Sequence, residues 1–120
     1  MKINRNQINS YITKDSSEIR ELLHPEHSPV NNQSLAEAIV KPQQTTAAHF
    51  HEQTEEIYFI LEGKGEMRLD DKQFIVEEND SILIPPGQVH CIKNIGDGEL
   101  RFLCCCSPAY DHTDTFLIEA

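Results

Sequence analysis

From residue 34 onward the chain is written in short runs of β-forming residues separated by turn signals. The runs cover 34–41, 45–51, 57–61, 65–69, 73–76, 81–84, 89–95, 99–106 and 115–119. Between them stand Pro42, Asp70-Asp71, Asn79-Asp80, Gly96-Asp97-Gly98 and Ser107-Pro108, residues that stop a strand or turn it back. Strands this short and this frequent bury a common face by packing into a sandwich or closing into a barrel, so the spacing predicts an all-β fold. A length of 120 residues fits one domain with a core that needs no staples.

Residues 1–34 read differently. They are polar, rich in Asn, Gln and Ser, and broken by Pro25 and Pro29. We expect an N-terminal arm, 1–34, packed on the outside of a barrel formed by 35–120. Asp15 as an N-cap, Glu18 three residues on, and Ile19, Leu22 and Leu23 at helical spacing suggest one short helix, ended by His24-Pro25. A short edge strand competes for the same residues.

Two runs are apolar on both faces, Ile57-Tyr58-Phe59-Ile60-Leu61 and Phe102-Leu103-Cys104-Cys105-Cys106. A strand with one wet face alternates instead. With Glu56 pointing inward, Tyr58 and Ile60 share its face, and Ile57, Phe59 and Leu61 need a cover. The arm or a second copy of the chain supplies it, and a homodimer is the expected state.

The formal net charge is −10, which disfavours nucleic acid and anionic membranes, because both demand clustered Lys and Arg. Residues 1–15 contain no apolar core of a signal peptide, and no run approaches membrane-spanning length. The adjacent cysteines Cys104, Cys105 and Cys106 point alternately to opposite faces of a strand and do not bridge one another. Reduced thiols and a cytoplasmic location are the expectation.

The chemistry is concentrated in two stretches. His49 and His51 are two apart, so a strand presents both on one face. Glu56 follows five residues later, the wrong parity for an unbroken strand, so residues 52–55 must bend to bring it to the same centre. Glu55 competes with Glu56 for that role. His90 enters from a distant strand behind the rigid turn Pro85-Pro86-Gly87.

The pattern His49-x-His51, four residues, Glu56, six residues, Gly63, followed by Pro85-Pro86-Gly87, His90, three residues and Asn94, resembles the two conserved motifs of the cupin family. The resemblance covers residues 49–94 closely and the flanking strands loosely. It implies a double-stranded β-helix, or jelly-roll barrel, with metal ligation by His49, His51, Glu56 and His90. The six-residue step to Gly63 selects Glu56 over Glu55. Two turn positions depart from the family pattern: Gln43 and Asn79 stand where cupins usually carry Gly.

Three imidazoles and one carboxylate form a borderline-soft donor set. It suits one divalent transition metal (Mn, Fe, Co, Ni, Cu or Zn) rather than Ca²⁺ or Mg²⁺. Four protein ligands on an octahedral ion leave two positions for water, substrate or O₂. Tyr58, on the inward face beside Glu56, is a candidate catalytic residue, though a Tyr so placed is more often a wall residue. Ile60, Ile82, Ile84 and Ile92 are expected to fill or line the barrel, giving a mostly apolar pocket without Lys or Arg to clamp an anion. Cys104 and Cys106 share a face and could take a soft metal, though small core residues are the simpler reading. His24, His27 and His112 lie outside the motifs, the first two placed to roof the barrel mouth.

The expected activity is that of a small metalloenzyme acting on a small, oxygen-bearing substrate by dioxygenase-like or isomerase/decarboxylase-like chemistry. Competing readings are a non-catalytic module that binds a metal or small ligand, and a structural jelly roll with incidental metal affinity.

Overall fold

A computed structural model of the protein describes residues 1–118. Its strands, in chain order, are β1 (Tyr11–Ile12), β2 (Glu18–Leu23), β3 (Ser34–Val40), β4 (His49–His51), β5 (Glu55–Glu62), β6 (Lys64–Leu69), β7 (Lys72–Glu77), β8 (Ser81–Ile84), β9 (His90–Asn94), β10 (Leu100–Ser107) and β11 (Thr115–Leu117). They form two antiparallel sheets, ordered β1-β2-β3-β10-β5-β8 and β11-β4-β9-β6-β7. The jelly-roll expectation holds.

Alternation sets the core. In β5, Glu56, Tyr58 and Ile60 are buried while Glu55 and Ile57 are exposed, and in β10 the buried set is Leu100, Phe102, Cys104 and Cys106. Phe102, Ile60, Met67, Ile84, Ile92 and Leu100 are almost fully enclosed. Each such side chain contributes roughly 1.5–3 kcal/mol by leaving water.

The predicted short helix is a strand. Residues Glu18–Leu23 pair with β3 along Glu18↔Ile39, Ile19↔Ala38 and Arg20↔Glu37, and with β1 on the other side, so β2 is not an edge strand either. The helical spacing of Ile19, Leu22 and Leu23 loses to a period of two that buries Ile19 and turns Glu21 the same way, once β3 offers its free backbone groups. Asp15 still acts as a local acceptor. Its Oδ1 takes the Ser17 backbone N–H at 2.9 Å and hydroxyl at 2.6 Å, closing a turn rather than capping a helix.

The predicted run 45–51 is regular only over β4. Before it, Thr46 N–H donates to the Ile92 carbonyl and Ala47 N–H to the Asp15 carbonyl, so those backbone groups are divided between β9 and the arm. The last strand ends at Leu117, and the predicted Glu119 lies outside the described residues.

The arm is fastened on the outer side of β3. There Glu37, only 2% exposed, meets Arg5 at 2.8 Å, Arg101 at 3.1 Å and Arg20 at 3.4 Å. Farther along the same sheet the outer face is bare, with Ile57 and Leu83 paired in register and 43% and 54% exposed.

Both departures from glycine adopt the glycine conformation. Gln43 has φ +67° and Asn79 has φ +75°. Gly63, at φ +92°, is required twice over, because a Cβ there would stand 2.7 Å from the Glu99 carbonyl oxygen.

Candidate metal centre

His49 and His90 are direct cross-strand partners on β4 and β9, and His51 lies two residues along β4, so one face of the five-stranded sheet carries all three rings. A ring nitrogen from each lies within 4.8 Å of the others. All three histidines are buried, His90 completely. Three buried imidazoles in this arrangement can hold a metal ion.

Their orientation is fixed from behind. His49 Nδ1 is 2.9 Å from the Ala47 carbonyl oxygen, and His90 Nδ1 is 3.1 Å from that of Gln88. His51 Nδ1 lies 3.3 Å from both the Asp114 carbonyl oxygen and Thr115 Oγ1. A carbonyl oxygen only accepts, so each Nδ1 carries a proton and Nε2 is the nitrogen turned to the centre.

Glu56 comes from the opposite sheet. The parity mismatch with His51 is resolved because the chain changes sheets between β4 and β5. Asp114 holds that bend: its carboxylate accepts the backbone N–H groups of Glu52, Gln53 and Thr54 at 3.1–3.2 Å. The second motif is tied to the first by Gly87 N–H, which donates to the His51 carbonyl at 2.7 Å.

Glu56 Oε1 reaches 3.3 Å from His51 Nε2 and 3.4 Å from His90 Nε2. These contacts are close without being aligned as hydrogen bonds, so Glu56 Oε1 and His90 Nε2 are both buried with no hydrogen-bond partner. Two orphaned polar atoms facing one another across a histidine cluster fit a cation placed between them. Burial pushes the Glu56 carboxyl up, yet the two imidazoles outweigh it and hold the group well below the usual carboxylate range. Burial likewise lowers His51, but the Glu56 carboxylate reverses the sign and raises it. His49 is lowered by burial and by His90, which favours the neutral ring a metal needs. Glu56 Oε2 accepts the Cys106 thiol at 3.3 Å. Cys106 thus touches the centre as well as filling space.

The cavity in front of the centre is small, about 40 Å³. Tyr58 forms part of its wall, with its ring 4.5 Å from Phe102 and 6.1 Å from His90. Burial and the neighbouring Glu56 push its phenol well above the ordinary value. The pocket is mostly apolar, as expected, with Ile19, Ala36, Ala38 and Phe102 among its walls. Ile60, Ile82, Ile84 and Ile92 sit in the core, while β1, β2 and the turn between them turn Thr13, Asp15, Ser17 and Glu21 toward the cavity. The sequence pointed to the arm as a cover and missed it as a wall, since strand alternation is invisible where a helix pattern competes. No Lys or Arg lines the cavity among the described residues. Asn94 is structural: its amide donates to the carbonyls of Val40 and Gly98 at 2.8 Å each, and its Oδ1 accepts Gly96 N–H. His24 and His27 line an outer bowl above the cavity. Among the described residues no helix is long and apolar enough to cross a membrane.

Comparison with known proteins agrees with this architecture. The chain is 50% identical over 119 residues to an uncharacterised protein of Methanocaldococcus jannaschii, an alignment covering 99% of this chain and 95% of that one. It is 29% identical over 107 residues to the polyketide synthase CurC of Streptomyces cyaneus, covering 85% and 70% respectively. The solved structure of the polyketide cyclase RemF from Streptomyces resistomycificus superposes with a TM-score of 0.85 at 22% identity, covering 100% of this chain and 86% of that one. The family model for the cupin domain matches residues 36–106, from within β3 to within β10, and the chain therefore belongs to the cupin family.

Proposed function

We propose that this chain is a small metalloenzyme that holds one divalent transition ion at His49, His51, Glu56 and His90 and acts on a small, uncharged, oxygen-bearing substrate. The observation that carries the reading is the pair of orphaned buried atoms, Glu56 Oε1 and His90 Nε2, at the focus of three carbonyl-anchored imidazoles. The mixed nitrogen and oxygen set suits Mn, Fe, Co, Ni, Cu or Zn. A bound ion of this kind supplies polarisation of a substrate oxygen or, as iron, activation of O₂, in keeping with isomerase/decarboxylase-like or dioxygenase-like chemistry.

The chain's own residues account for the rest. Asp15, Glu21 and Glu56 all line the cavity and, among the described residues, no Lys or Arg does, so the walls offer an anionic substrate no fixed positive charge. Tyr58 remains a neutral phenol, a wall residue that offers a hydrogen bond rather than a base. The 1–34 arm and the 35–120 barrel work as one unit, the arm completing the cavity. The name of the Streptomyces cyaneus relative, a polyketide synthase, supports an enzymatic role. We assign the protein to the cytoplasm, with reduced cysteines, and infer a homodimer that covers Ile57 and Leu83, which light scattering checks.

One observation favours a non-catalytic binding module instead: the inner cavity is only about 40 Å³, room for an ion and a few waters. Elemental analysis of untagged protein tests the shared premise, with about one metal per chain expected. His51→Ala should lose the metal while keeping the fold. Absence of metal together with no uptake on reconstitution sinks both readings. Metal-dependent substrate loss then separates the enzyme from a module that retains a metabolite unchanged.

A further inference from the structure

Glu21 stands where two spaces meet. With Tyr11 and Tyr110 it lines both the inner cavity and an outer bowl of about 300 Å³, so these three residues stand at the boundary the two spaces share, where a throat between them would lie. Its Oε2 is buried and has no hydrogen-bond partner. A carboxylate serving the fold has its oxygens paired or in water; this oxygen has neither. No Lys or Arg lines either space among the described residues, so a salt bridge does not explain the group. Burial raises the carboxyl above its ordinary range, with His24 and the neighbouring Tyr11 phenol opposing.

We propose that Glu21 is a substrate-binding residue: at the throat it hydrogen-bonds an uncharged hydroxyl or keto oxygen of a ligand whose other oxygens reach the three-histidine centre. The proposal rests on the metal reading above and extends it from the centre to the arm. It assigns the outer bowl as the approach and a neutral hydroxy-ketone as the ligand class. An anionic head group at the throat would meet Glu21 with Glu26 and Asp111 beside it in the bowl.

The test uses the full chain loaded with Co²⁺, whose visible spectrum reports ligand exchange. The probes are kojic acid, a neutral hydroxy-ketone that extends outward from a metal, and azide, which reaches only the metal. Glu21→Ala should bind Co²⁺ and azide as the wild type does and lose about tenfold in kojic acid affinity. Glu21→Gln, which keeps shape and hydrogen bonding, should stay within about threefold. Because Oε2 bonds nothing in the protein, Glu21→Ala should melt at or above the wild-type temperature. Unchanged kojic acid affinity in Glu21→Ala, no kojic acid binding to the wild type, or a clear fall in melting temperature overturns the assignment while leaving the metal site standing. Failure of the wild type to take up Co²⁺ removes the metal reading and this proposal with it.

Discussion

Asp114 grips the backbone of Gln53 with both carboxylate oxygens, each 3.1 Å from the Gln53 N–H, across 61 residues of sequence. The same carboxylate takes the N–H groups of Glu52 and Thr54, and the Asp114 carbonyl oxygen lies against His51 Nδ1. One residue therefore shapes the bend that delivers Glu56 and orients a histidine of the centre. Asp114→Ala keeps the carbonyl that holds His51 but frees the bend that delivers Glu56, and should lower metal affinity about tenfold, the lower end of the cost of losing an outer support. It should also destabilise the fold by about 2 kcal/mol, since three backbone donors lose a charged acceptor. Metal titration and thermal melting check both, and wild-type metal affinity in this variant would contradict the positioning role.

Metal binding should release a proton. In the metal-free chain Glu56 raises His51 above its ordinary value of 6.5, so near that pH a proton must leave His51 before Nε2 can ligate. Apparent affinity should fall by about tenfold per pH unit as pH drops below the raised His51 value. The stability of the metal-free chain follows the opposite logic at its upper edge. The His51 contribution is full below 6.5 and is lost as pH rises through the raised value. The depressed Glu56 contributes above 4.5 and is lost as pH falls through its folded value. Calorimetry in two buffers of different ionisation enthalpy measures the proton count; no release at pH 6.5 would count against this coupling.

The histidine motif was readable because its geometry is local: two residues apart on one strand, a turn of two prolines and a glycine, a fixed step to Gly63. Glu21 and Asp114 were not, because their importance comes from sheet order. Nothing near Asp114 in sequence indicates that the strand following it will lie beside β4. The arm was misread at Glu18–Leu23 for a related reason, since hydrophobic spacing there fits two periods and only the β3 edge decides between them.

Glu37 should be the fastening of the arm. Burial raises its carboxyl, but Arg5 and Arg101 outweigh that and hold it below the usual range. Its contribution is therefore present above 4.5 and lost as pH falls through the depressed folded value. Glu37→Ala should cost about 2 kcal/mol, the worth of a hydrogen-bonded charge whose cationic partners still reach water. Hydrogen exchange should show the loss concentrated in β1 and β2, with β4 and β9 protected as before. Uniform loss across both sheets would argue against a local fastening.

Gln43 sits at φ +67°, where an L side chain costs about 1–2 kcal/mol relative to its relaxed conformation. Its N–H donates to the Asn94 carbonyl at 3.0 Å, a bond that glycine preserves. Gln43→Gly removes the Cβ strain and adds unfolded-chain entropy, for a net gain of about 0.5–1 kcal/mol. That corresponds to a rise of about 3 °C in melting temperature. Asn79, at φ +75°, is the internal control, because Asn tolerates this region through its short polar side chain. Asn79→Gly should gain less than Gln43→Gly. Equal gains, or a loss at Gln43, would show that the Gln43 side chain contributes contacts that offset its backbone strain.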